Sequence, residues 1–106
     1  MGNGYTYIWE FFVPAERQAE FERHYADGGT WVQLFRRADG YLGTLLLKDR
    51  EVAERYVTIN RWTDESSYKA FRLEYGDDYR ELDALCEGYT RREVALGTFE
   101  ELGVSP

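Results

Sequence analysis

Cysteine and histidine are almost missing from this chain: Cys86 is its single thiol and His24 its single imidazole. One cysteine excludes an internal disulfide framework, and the pair leaves too few sulfur and nitrogen ligands for a closed zinc site, so no metal is expected. No apolar run approaches the roughly 18 residues of a membrane span. The first residues carry neither the basic segment nor the apolar stretch of a secretory signal, so the expected location is the cytoplasm, with no membrane partner. Positive charge is in deficit, with 13 Lys and Arg against 20 Asp and Glu and a net charge of −7. A field of that sign repels phosphate backbones, which argues against a nucleic-acid partner. Arg36-Arg37 and Arg91-Arg92, beside Asp39 and Glu93, read as solvated surface. No glycine-rich phosphate loop follows a strand pattern, so a required flavin is not expected either. With two prolines in 106 residues, the chain reads as one domain over residues 1–106, its core within 5–100.

What the chain has in abundance is rings: 17% of residues are aromatic, three Trp, nine Tyr and six Phe. Such side chains fill a core or hold a flat organic molecule equally well. Tyr5 to Val13 places Tyr5, Tyr7, Trp9 and Phe11 on one side of an extended chain, with Ile8, Glu10 and Phe12 on the other. Pro14 suits a helix start, and Ala15 to Ala26 is rich in helix formers. Asp27-Gly28-Gly29 ends that helix. Trp31, Leu34, Phe35 and Ala38 then mark a second, short one. Tyr41 to Lys48 and Glu54 to Trp62 read as antiparallel strands joined by the charged turn Asp49-Arg50-Glu51. Thr63 or Asp64 caps the longest periodic run, with Tyr68, Phe71, Tyr75, Tyr79, Leu82 and Cys86 on one stripe. Gly76-Asp77-Asp78 predicts a kink or two abutting helices there, and Gly88 closes the run. Arg91 to Phe99 is a last strand and 103–106 a tail.

The order strand, helix, strand, strand, helix, strand predicts a ferredoxin-like α+β fold, an antiparallel βαββαβ sheet with helices on one face. Its strands carry apolar side chains on both sides, so a second copy packed sheet against sheet, a homodimer, is the expected cover for the other face.

Three segments resemble the antibiotic biosynthesis monooxygenase family of the dimeric α+β barrel superfamily. They are Trp9-Glu10-Phe11 with Phe21-Glu22, then Gly40-Tyr41-Leu42-Gly43, and most specifically Arg61-Trp62-Thr63-Asp64 followed by Tyr68 and Phe71. Glu93, Gly97 and Phe99 are similar to the family's closing strand. The resemblance implies a dimeric α+β barrel. It also implies either an oxidation of aromatic polyketides or quinols without metal or flavin, or haem degradation. The haem-degrading branch uses a histidine on the main helix, an asparagine on the first strand and a tryptophan where this chain resembles it with Phe71. The first two residues are missing here, so no haem cofactor is implied.

Two residues are candidate bases. His24 is the one group with an ordinary pKa near neutrality, and it could equally be a half-exposed helix residue beside Phe21. Glu10 interrupts an apolar strand, where burial would raise its pKa; the competing reading is a cross-strand ion pair with Arg55 or Arg61. Trp9, Trp31, Phe35, Trp62, Phe71, Tyr75 and Tyr79 are candidate walls of a flat pocket or simply core, and Asn60 could orient a ligand carbonyl or pair with backbone. Cys86 reads as a small buried apolar residue. The expected pocket lies between the sheet and the helices, measures at least roughly 300 Å³ and has Gly28-Gly29 and Gly76 at its movable edges. Two functions remain open: a cofactor-independent monooxygenase acting on a small planar phenolic, anthrone-like or quinol-like molecule, and a non-catalytic small-molecule-binding or structural homodimer.

Overall fold

The computed structural model describes residues 4–106, so residues 1–3 of the expected domain lie outside it. Its elements are β1 (Gly4–Phe12), a 3-10 turn (Ala15–Arg17), α1 (Gln18–Tyr25), α2 (Thr30–Phe35), β2 (Tyr41–Lys48), β3 (Arg55–Trp62), α3 (Glu65–Glu74), α4 (Gly76–Cys86), a second 3-10 turn (Glu87–Tyr89) and β4 (Arg92–Glu101). The sheet order is β2-β3-β1-β4 with every neighbouring pair antiparallel, the ferredoxin-like α+β arrangement. The helix expected from Ala15 opens as a 3-10 turn and becomes α-helical at Gln18. Asp64, not Thr63, caps α3: its carboxylate accepts the Ser67 amide at 2.8 Å, satisfying an N–H that the helix cannot. The long periodic run breaks at Tyr75, and α4 starts directly at Gly76.

Strand parity sorts the side chains into two layers. Tyr7, Trp9 and Phe11 of β1 and Tyr56, Thr58, Asn60 and Trp62 of β3 face the helices, opposite one another in register. They meet Phe21, Tyr25, Trp31, Phe35 and Phe71 in a core dominated by rings. Tilted and edge-to-face contacts order it; Trp62 has Phe35, Tyr41, Tyr68 and Phe71 around it at centroid distances of 5.2–5.9 Å. Gly40 enters β2 at φ +88° beside the start of α3, where a Cβ would stand 2.6 Å from Ser67. Only glycine supplies both the backbone angle and the clearance.

The other sheet face carries no helix. Ile8 and Phe12 of β1, Leu45 and Leu47 of β2, Val57 and Ile59 of β3 and Phe99 of β4 share it by register. Leu45 is 55% exposed and Phe99 48% exposed. The basic pairs are at the surface, with Arg37 on Asp78 and Arg91 on Glu54. Among the described residues no helix is long and apolar enough to cross a membrane.

Candidate functional site

Between the inner sheet face and the helices lies a cavity of about 70 Å³. The sheet contributes Tyr7, Trp9, Phe11, Thr44, Thr58 and Asn60 to its wall, and the helices and β4 contribute Tyr25, Trp31, Phe35, Tyr79, Asp83 and Glu93. The volume is a correction to the roughly 300 Å³ expected of a small-molecule pocket. The rings close on one another: Trp31 meets Tyr79 at 5.1 Å, Tyr25 at 5.9 Å and Phe35 at 5.8 Å.

One part of the wall is polar and fixed. Asn60, 5% exposed, receives a 2.8 Å hydrogen bond on Oδ1 from the Thr44 hydroxyl, which lies 2.5 Å from the Tyr41 hydroxyl. Threonine has one hydroxyl proton, so with Thr44 donating to Asn60 it is Tyr41 that donates to Thr44. The chain ends on the Asn60 amide, whose nitrogen makes no hydrogen bond among the described residues. A ligand oxygen meeting Asn60 would therefore find an N–H donor already oriented. Tyr7 Oη and Trp31 Nε1 are also buried without partners.

The rest of the polar wall is acidic. Asp83 projects from α4 and Glu93 from β4, and both are exposed where they line the cavity. Partial burial raises the Glu93 carboxyl above its ordinary value; the Thr90 hydroxyl opposes the shift and Asp83 and Glu87 add to it. Burial also pushes up the phenols of Tyr7, Tyr25 and Tyr79, which stay protonated donors. The Cys86 thiol is raised by burial too, in keeping with a packing role.

Of the residues expected to bind substrate, Trp9, Trp31, Phe35, Asn60 and Tyr79 come together here. Trp62, Phe71 and Tyr75 do not. The stripe of Phe71, Tyr75 and Tyr79 does meet α2, with Phe71 5.4 Å from Phe35. Phe71 and Trp62 nevertheless sit behind Phe35 in solid core, 1% and 0% exposed, and Tyr75 turns away to donate to the Arg37 carbonyl at 3.2 Å.

Neither expected base is at the cavity. Glu10 has the opposite parity from Trp9 and Phe11, so it lies on the helix-free face, where Arg55 Nε donates to it at 2.6 Å. His24 is buried against the second 3-10 turn. Its ring stacks on Tyr89 at 5.4 Å, its Nδ1 lies 2.8 Å from the Thr30 hydroxyl, and its Nε2 has no partner. Burial, with help from Arg23, lowers its pKa and favours the neutral ring. Asp83 and Glu93 were the residues missed. Helical spacing could have found the first, since Asp83 stands four positions after Tyr79; the second needed the β1–β4 register, which sets Glu93 opposite Phe11. Among the described residues no three His, Cys, Asp or Glu side chains gather as a metal site would require.

Residues 4–74 match a family model described as antibiotic biosynthesis monooxygenase. The match spans β1 to α3 and stops before Tyr79, Asp83 and Glu93. No curated protein sequence matches the chain. Among solved structures, SnoaB, a cofactor-independent oxygenase from Streptomyces nogalater, is similar with a TM-score of 0.77 at 23% identity over 98% of each chain. A conserved protein from Methanosarcina mazei Go1 follows the same fold with a TM-score of 0.76 at 14% identity over 93% of each chain. A protein from Pseudomonas aeruginosa has a TM-score of 0.74 at 16% identity, covering 97% of this chain and 98% of its own. At these identities the likeness speaks for the fold.

Proposed function

The chain belongs to the antibiotic biosynthesis monooxygenase family, and on that premise we propose that it oxidises a small planar aromatic substrate, phenolic, anthrone-like or quinol-like, with dioxygen and without metal, haem or flavin. One observation carries the reading: Trp9, Trp31, Phe35 and Tyr79 wall a single cavity that also holds the oriented Asn60 amide. Flat apolar walls hold a ring system and exclude water. The free amide N–H meets the ring oxygen, on which negative charge builds when the substrate loses a proton. The proton leaves toward the carboxylates at the mouth, and the electron-rich anion reduces dioxygen. For an anthrone, the CH₂ carbon becomes a carbonyl: one oxygen atom stays on carbon, the other leaves as water with the two hydrogens, and the carbon supplies all four electrons.

A tricyclic ring exceeds about 70 Å³, so its entry requires the α2–α4 wall to shift, at the glycines Gly28, Gly29 and Gly76 that flank those helices. The exposed apolar sheet face supports a homodimer through that face, closing a dimeric α+β barrel. Residues 1–106 then form one domain, located in the cytoplasm, without a membrane or nucleic-acid partner. A second reading, a non-catalytic small-molecule-binding or structural homodimer, is favoured by one finding: Glu10 and His24 both lie away from the cavity. Oxygen uptake with a panel of anthrones and quinols separates the two. Uptake above the protein-free rate, at one dioxygen per anthrone, supports the oxidase chemistry; saturable binding without uptake supports the second reading.

A further inference from the structure

We propose that the mouth of the cavity selects cations: the preferred ligand is a planar aromatic that carries a protonated amine at the end reaching Asp83 and Glu93 and an acceptor oxygen at the end reaching Asn60, and its carboxylate-bearing counterpart is rejected. The inference rests on the reading that the cavity holds a planar aromatic and deepens it by naming the substrate class.

Two carboxylates from different elements, α4 and β4, are the exposed acidic part of the cavity wall. Neither has a cationic partner among the described residues, although acids close to them in the chain do: Asp77 pairs with Arg80 and Asp78 with Arg37. Asp83 and Glu93 stand close enough to feel one another's charge, a repulsion that an arriving ammonium group relieves. Rings line the same cavity: Trp31 lies between Tyr25 and Tyr79 at 5.9 and 5.1 Å. Tyr25 already stacks on Phe21 at 4.1 Å and Tyr79 carries the Arg72 guanidinium at 3.8 Å, so the attraction for ammonium comes from the two carboxylates and not from free ring faces. An independent feature points to a ligand in the same cavity: Asn60, 5% exposed and part of its wall, has an amide nitrogen that makes no hydrogen bond among the described residues, and Trp31, 7% exposed, has a buried indole N–H without a partner. A buried donor without a partner awaits an acceptor. Donor at one end and anions at the other define a polarised ligand.

The test uses anthraquinones bearing an aminomethyl, a hydroxymethyl or a carboxyl group at the same ring position, which share one flat core and are not themselves oxidised. Dissociation constants come from tryptophan fluorescence quenching at pH 7.5 and low salt. The expected order is amine tightest, by at least about tenfold over the neutral probe, and carboxylate weakest by a similar factor, with the amine's advantage shrinking as salt is added. In the isosteric double variant Asp83→Asn, Glu93→Gln the three constants converge to within about twofold. Both side chains are exposed, and thermal unfolding of the variant checks its fold; the wild-type order and its salt dependence stand as a test without it. Equal binding of amine and carboxylate to the wild type, or a preference that survives in the folded double variant, overturns the inference and leaves the cavity reading intact. Failure of all three probes to bind the wild type overturns both.

Discussion

The Thr44 hydroxyl donates a 2.8 Å hydrogen bond to Oδ1 of Asn60, and this bond decides which end of a buried amide faces the cavity. Thr44 is on β2 and Asn60 on β3, directly opposite in register, so the sheet sets the donor and acceptor before any ligand arrives. A site whose donor is held in advance spends no reorganisation when charge develops on the substrate.

Replacing Thr44 by valine keeps the shape and removes the donor. Thr44→Val is expected to cost about 1–3 kcal/mol of folding stability by leaving a buried oxygen unpaired, seen as a lowered thermal midpoint, together with loss of turnover. Thr44→Ser is expected to restore both. A Thr44→Val protein as stable and as active as the wild type would show that the bond does not set the amide.

Glu10 and Arg55 form their 2.6 Å contact on the helix-free face, with Asp49 3.1 Å from the same guanidinium. Glu10→Gln is therefore expected to change turnover by less than about twofold and to cost about 1–3 kcal/mol in stability, since its carboxylate is largely buried against Arg55. Initial rates and denaturant titration check the two halves. A loss of orders of magnitude in rate would return Glu10 to the chemistry.

Acid stability separates His24 from the carboxylates. Burial lowers the pKa of His24 from its ordinary 6.5. The neutral ring therefore favours the fold fully above roughly pH 6.5, and that contribution is lost as pH falls through the lower folded value. Asp64 and Glu101 are depressed as well, the first by the Ser67 amide and the second by Arg61. Their contributions are present above the unfolded carboxylate range near pH 4 and vanish only below it. Thermal midpoints measured from pH 7 to 3 are thus expected to fall in two steps, and His24→Gln to abolish the upper one. An unchanged upper step in that variant would assign it elsewhere.

Leu45, opposite Ile59 on the helix-free face, is exposed enough to be replaced without disturbing the subunit. Sedimentation at micromolar concentration is expected to give a dimer for the wild type and a species near the 12.5 kDa chain mass for Leu45→Glu. A wild-type monomer would contradict the dimer through this face.

Much of the architecture was legible because local rules and packing agree: alternation through Tyr7, Trp9 and Phe11, the cap at Asp64, and the glycine at position 76. The site was less so. Parity already placed Glu10 opposite Trp9, but whether helices cover the Trp9 side or the Glu10 side depends on contacts far apart in the chain. His24 follows Phe21 by one helical turn, which reveals a packed face but not that the second 3-10 turn is what packs on it. Glu93 acquires its neighbours only through pairing with Phe11, and the gap in the ring cluster is a few ångströms of side-chain placement that no spacing rule reports.

The proposed binding mode puts a planar ring between sheet and helices with an oxygen on Asn60. Its most direct test is an NMR titration of nitrogen-15-labelled protein with a soluble anthraquinone, following the Asn60 side-chain amide, the Trp31 indole N–H and the backbone amides of Glu10 and Ile59. The Asn60 and Trp31 signals are expected to shift together and saturate at one ligand per chain while Glu10 and Ile59 stay in place. Saturable shifts confined to the Glu10 and Ile59 side of the sheet, with Asn60 and Trp31 unmoved, would contradict it.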